Sequence, residues 1–286
     1  MRPFPVRART RLPRGRAWGK RSETGRDAGG TAMDMPKNRF KAALKAGRQQ
    51  IGIWNSIPGM LVPELLAVTG FDWVLVDTEH TPIELSEVQA ALQAIAGFPD
   101  VSAVVRPYAN DTVQIKRALD MGAQTLLLPC IESRAEAEAA VRAVRYGPRG
   151  VRGVAGLTRA SRYGHVENYI PRASDEICLL LQVETKAGLE ALDAIARVEG
   201  VDGVFIGPAD LSASLGHPGD LNHPEVARAI EGAIRRLRAL GVPSGILYLD
   251  DASNRRAIEW GTTFTAVGVD VGLLVAGARA LRARYA

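Results

Sequence analysis

CLLLQVETKAGLEALDAIARVEGVDGVFIGPAD, residues 178–210, holds two short apolar runs, CLLLQVE (178–184) and GVFIG (203–207), set one helical stretch apart. Each run is apolar with little alternation, the pattern of strands buried on both faces in a parallel sheet. Each also ends in polar residues: Gln182 and Glu184 close the first, and Gly207, Pro208, Ala209 and Asp210 follow the second. The same signature recurs at IGIWN (51–55), WVLVD (73–77), SAVVR (102–106), TLLLP (125–129), SGILY (244–248) and FTAVGV (264–269).

Amphipathic stretches lie between these runs. In LSEVQAALQAIAG (85–97), Leu85, Val88, Leu92 and Ile95 recur at helical spacing. Residues 133–147 read as a helix capped by Ser133 and closed by Gly147. Residues 224–241 begin on Pro224 and end on Gly241, the usual asymmetry. Eight strands, each followed by a helix, predict a closed (β/α)8 TIM barrel in a single domain over 37–286, with an open doubly wound sheet as the alternative. The long connection 148–177 is the exception, and its length predicts a lid or an interface.

The 286 residues are 47% hydrophobic and 23% charged, ordinary globular values with no apolar run of membrane-spanning length. The net charge of +5 is unevenly spread. Residues 1–36 carry nine basic against three acidic side chains, which leaves the rest at −1. That Arg-, Gly- and Pro-rich extension reads as disordered: a passive tail or a start codon placed too early, with Met33 or Met35 as the true start. A transit peptide or a nucleic-acid arm is the functional alternative. Cys130 and Cys178 read as small buried hydrophobes, which fits a reducing, cytoplasmic setting.

In such a barrel the catalytic groups stand at the C-terminal ends of the strands. Strand two ends in Asp77, Thr78, Glu79 and His80, and strand three in Arg106. Glu184 and Asp210 are one βα unit apart, so they fall at adjacent strand ends; Gln182 and Glu184, two apart, share a face. Two carboxylates with open positions suit a hard divalent cation, although each could instead cap the following helix. Arg106 suits either a structural ion pair or an oxyanion, and His80 beside carboxylates is a candidate base. No lysine lies within a strand; Lys186, just after one, is the only contender for an imine route, so metal stabilisation of an enolate is expected. No P-loop and no strand-linked GxGxxG appears.

The strings VDTEH (76–80), VVRPYANDTVQIKRALDMGAQTLLLP (104–129), RYGPRGVRG (145–153), LQVET (181–185), GVDGVFIGPADLSASLG (200–216) and AVGVD (266–270) closely resemble the HpcH/HpaI aldolases, class II pyruvate aldolases that cleave 4-hydroxy-2-oxo acids. The resemblance covers about residues 37–286. It implies Glu184 and Asp210 as metal ligands, with Mg2+, Mn2+ or Co2+ as the cation, and Gln182 and Ala209 as contacts to the pyruvate moiety. It further implies His80 as the general base, Arg106 as the stabiliser of the enolate oxygen, and Asp120 as the residue that raises the basicity of the histidine. Asp77 is a second candidate partner for His80. Family members are commonly hexamers of swapped dimers, in which a neighbour's helix can reach a site.

Two other readings stay open at this point. One is a CoA-ester lyase of the citrate-lyase β type, which needs a basic surface near the mouth; Arg149, Arg152, Arg159 and Arg162 are the candidates. The other is a non-catalytic barrel that binds metal and oxo acid. The distal pocket is expected from loops 156–177, 212–223 and 247–254, with Arg159 and Arg162 suited to an acidic aldehyde.

Overall fold

A computed structural model describes residues 33–285. Eight parallel strands close into a barrel in chain order: β1 (Gln50–Asn55), β2 (Trp73–Asp77), β3 (Ser102–Arg106), β4 (Thr125–Leu128), β5 (Cys178–Val183), β6 (Gly203–Ile206), β7 (Ser244–Leu247) and β8 (Phe264–Val269). The open-sheet alternative is excluded by the β1–β8 pairing. Strand side chains alternate between two apolar environments. Leu75, Val104, Leu127, Leu180, Phe205 and Ala266 belong to an inner cluster, and Val74, Val105, Leu126, Leu181 and Ile206 to an outer one under the helices. Both faces are buried, hence the uninterrupted apolar runs.

The inner cluster is aromatic at its base. Phe40, from the helix Arg39–Lys45, packs edge-on against Trp73 and Phe264. Space for these rings depends on glycine: a Cβ on Gly52 would lie 2.1 Å from the Trp73 ring. Residues 33–36, assigned above to the extension, pack with the barrel: Met35 is buried in the outer cluster and Gln124 Nε2 donates to the Pro36 carbonyl. The rest of the extension, including the readings placed on it, lies outside the described residues.

Local rules account for most helix ends. Ser133 accepts the Glu136 N–H, as expected of an N-cap. The helix it starts ends at Val144, before Gly147, because the chain turns extended at Arg145 and Tyr146 bridges to Arg152. Pro224 opens the helix Pro224–Ala239, and Gly241 follows its end with φ +70°.

The connection 148–177 does not cover the mouth. Arg159 donates to the carbonyls of Met121 and Leu92, and Arg159 and Arg162 line cavities with Val101, Ser102, Gly122 and Gln124. Those residues stand at the beginnings of β3 and β4, the end of the barrel opposite the catalytic one. Cys178 is buried as expected, but Cys130 is exposed, with φ +55° just beyond β4. The expectation of a buried thiol fails there because TLLLP ends one residue earlier and Cys130 already belongs to the mouth.

Candidate active site

Strand parity builds the site. On β5, Leu180 faces the inner cluster, so Gln182 and then Glu184 face the same way at the mouth. Phe205 does the same on β6 and is followed by Gly207. A Cβ on Gly207 would come within 2.5 Å of Glu184 Oε2, so glycine is what lets the carboxylate lie against this turn. The Glu184 carboxylate accepts the Cys130 N–H (2.8 Å) and the Gln182 amide N–H. Neither Glu184 nor Asp210 caps a helix. Thr185 caps the helix after β5, and Asp210 sits inside the first turn of Pro208–Ser214, exposed and without a hydrogen bond among the described residues.

The register of β2 on β3 pairs Asp77 with Arg106. Both are buried, and the guanidinium meets the carboxylate through two bonds of 2.8 Å, from Nε and Nη2. Its Nη1 lies 2.8 Å from Glu79 Oε2, and its plane sits over Trp54 with 5.3 Å to the ring centroid. Burial opposes the charge on Arg106, but the Asp77 bonds and the surrounding carboxylates outweigh it and raise its pKa. Glu79 is pushed above the usual carboxylate range, chiefly by burial and also by Glu184 and Asp77, against the pull of Arg106.

The cavity has a volume of about 400 Å3. His80, Arg106, Gln182, Glu184, Ala209 and Asp210 line its polar side, and Trp54, Phe205, Leu221, Leu247, Tyr248 and Leu249 its apolar side. The loops 212–223 and 247–254 thus contribute as expected, and 156–177 does not. Its arginines cannot meet an acidic aldehyde from the far end of the barrel. Arg152 is buried over Tyr146, 4.4 Å from the ring centroid, and Arg149 lines a cavity with Ile177, just before β5. The basic surface that a CoA ester requires is therefore not built from these four residues.

Two expected partners of His80 are engaged elsewhere. Asp77 holds Arg106, and Asp120, at the end of the helix Thr112–Asp120, is ion-paired to Arg152 at 2.8 Å. The carboxylate near His80 is Glu79, with 3.8 Å between Oε2 and Nε2. The sequence reading gave Glu79 no role of its own and missed Cys130 and the apolar wall. The parity that places Gln182 also places Phe205, so part of that wall was accessible to the same argument.

Several observations fit a divalent cation at the mouth. Asp77, Glu79 and Glu184 surround Arg106, and Asp210 lines the same cavity, an acidic excess at the mouth. The Cys130 thiol is pushed up to about 12, chiefly by partial burial and also by the carboxylates of Glu184, Glu79 and Asp210. The amide oxygen of Gln182 is buried without a hydrogen-bond partner. An oxygen-rich set with open positions suits a hard cation.

The chain's relatives are aldolases by name, which makes it a carbon–carbon lyase of that class. The family model described as HpcH/HpaI aldolase/citrate lyase matches residues 50–276. A pyruvate aldolase of Rhizobium etli is 58% identical over 254 residues, covering 89% of this chain and all of that one. A hydroxypyruvate/pyruvate aldolase of Sagittula stellata is 54% identical, over 88% of this chain and all of that one. A crystal structure of a family member from Burkholderia cenocepacia superposes with a TM-score of 0.84 at 38% identity, covering 87% and 100% of the two chains. The chain belongs to the HpcH/HpaI aldolase/citrate lyase family.

Proposed function

We propose that this enzyme cleaves a 4-hydroxy-2-oxo acid reversibly to pyruvate or hydroxypyruvate and an aldehyde, with Mg2+, Mn2+ or Co2+ held by Glu184 and Asp210. The observation that carries the reading is the acidic cluster facing Arg106 and His80 across one cavity. The names of the relatives support the substrate class. When bound, the cation supplies positive charge opposite the oxygen on which the enolate develops.

The chain's own groups do the rest. His80 takes the proton of the 4-hydroxyl as the C3–C4 bond breaks, which releases the aldehyde. The exposure of His80 suits a base that works on an incoming substrate or through water. Arg106 keeps its plane fixed by the two bonds to Asp77 and turns remaining N–H groups to the forming oxyanion. Gln182 and the backbone at Ala209, at the start of the helix Pro208–Ser214, orient the carboxylate end of the donor. Protonation of the enolate gives the 2-oxo acid, and the reverse order adds the enolate to an aldehyde.

Glu79 is the acid–base partner of His80 within one chain, and a role for Asp120 there requires a neighbouring copy. The exposed apolar residues Leu273, Leu274, Val275 and Leu281 of the helix Asp270–Ala283 favour a homo-oligomer, with the hexamer as the expected form. No helix among the described residues is long and apolar enough to cross a membrane. The two unpaired cysteines support the cytoplasm as the enzyme's place.

The test is a panel of aldehydes with pyruvate and hydroxypyruvate as donors, each with Mg2+, Mn2+ and Co2+, read by product formation and run beside a malyl-CoA-like thioester. Turnover of free oxo acids is expected. Cleavage of the thioester alone would favour the CoA-ester reading, and no turnover at all would favour the non-catalytic barrel.

A further inference from the structure

The two sides of the mouth divide the substrate between them. In the proposed reaction Glu184, Asp210, Gln182 and Ala209 take the oxo-acid end and His80 meets the 4-hydroxyl, which uses up the polar side. The substituent that the aldehyde carries beyond its carbonyl carbon is left with the apolar side. Trp54 and Phe205 form its floor from β1 and β6, and Leu247, Tyr248 and Leu249 stand at the end of β7. Leu221 joins them from the loop after the helix Pro208–Ser214.

This wall offers an anion nothing. Among the described residues that line the cavity, Arg106 is the only arginine or lysine, and Asp77 and Glu79 already face its guanidinium. Asp250, at the rim, adds a negative charge, because the Ser253 N–H holds its carboxyl below the usual carboxylate range. The Tyr248 phenol, pushed up to about 12 chiefly by burial, is neutral. A carboxylate placed here would lose water and gain no partner.

The apolar surface is also held ready. The Tyr248 carbonyl accepts a hydrogen bond from the Asn254 side chain at 3.2 Å, and Asp250 accepts the Ser253 N–H at 2.8 Å. Both neighbours of Leu249 are thus tied to the helix Asp251–Trp260, yet Leu249 itself is 74% exposed. One exposed leucine is ordinary, but a fixed one beside Leu221 and Leu247 in a concave wall is the surface of an apolar ligand subsite.

We propose that the aldehyde formed and consumed here carries an uncharged, apolar substituent, seated against Leu221, Leu247 and Leu249; this rests on the aldolase reading of the mouth. Chain length then adds binding as each methylene is buried, and a terminal carboxylate subtracts from it.

The experiment measures kcat/KM of the full-length enzyme with pyruvate and Mn2+ for ethanal, propanal, butanal, pentanal and 4-oxobutanoate, which is propanal bearing a carboxylate. A rise of about fourfold per methylene is expected along the unbranched series, the equivalent of burying one methylene. The value for 4-oxobutanoate is expected to fall roughly tenfold below that for propanal. Leu249→Arg places a cation at the exposed rim and should narrow that gap by about fivefold. A flat series, a 4-oxobutanoate value equal to or above that of propanal, or an unchanged ratio in Leu249→Arg overturns the subsite and leaves the aldolase reading standing. No turnover of any aldehyde overturns the aldolase reading itself, and the subsite with it.

Discussion

Arg106 is the residue on which the site turns. Its guanidinium is fixed by Asp77, contacts Glu79 and lies over Trp54, so it is both buried and oriented. Lysine keeps the charge but cannot make the two parallel bonds to Asp77. Arg106→Lys is therefore expected to lower kcat by about 10²–10³-fold, the usual cost of losing an oxyanion donor. Steady-state kinetics checks this, and an unchanged kcat would make the pair purely structural. Glu79 offers a pH test. Its folded pKa is raised above 4.5, so it stabilises the fold most below that value, and the contribution is lost as the pH rises through the folded pKa. Urea midpoints of Glu79→Gln against the parent should show the parent's relative stability falling over that rise. A difference independent of pH would contradict the assignment. Asp77 shows the limit of reading at this scale. It lies three residues from His80 in sequence, yet strand register gives it to Arg106.

At the scale of elements, the strands were legible because each is buried on both faces, and the placing of Glu184 and Asp210 at one cavity because strand parity and one βα spacing bring them together. The long connection was not. Its length says that it has a role but not which end of the barrel it reaches, and Arg159 anchors it at the strand beginnings. The early end of the helix Arg134–Val144 was hidden for a similar reason: the packing of Tyr146 under Arg152 prevails over the glycine signal one residue on. Glycine within β1 makes the packing testable. Gly52→Ala drives a Cβ into the Trp73 ring, and overpacking of this kind costs about 1–3 kcal/mol. Thermal denaturation should show a lowered Tm with the site chemistry retained, and an unaltered Tm would mean that the ring has room to move.

For the whole molecule, the barrel divides its labour between two ends. Aromatic packing and the anchored connection close the end where the strands begin, and the polar side chains stand where the strands end. The helix Asp270–Ala283 buries little beyond Asp270, which is unusual for a barrel helix. If it is an interface, Leu273→Glu with Leu274→Glu should yield a smaller species by light scattering, and an unaltered mass would place the interface elsewhere. The proposed cleavage needs a cation held by Glu184 and Asp210. The most direct measurement is the cleavage rate of a 4-hydroxy-2-oxo acid by chelator-stripped enzyme, before and after Mn2+ is restored, in the parent and in Asp210→Asn. The parent is expected to lose activity on stripping and regain it with Mn2+, and the variant to stay inactive while folded. Full activity of the stripped parent, or full rescue of the variant, would contradict the claim.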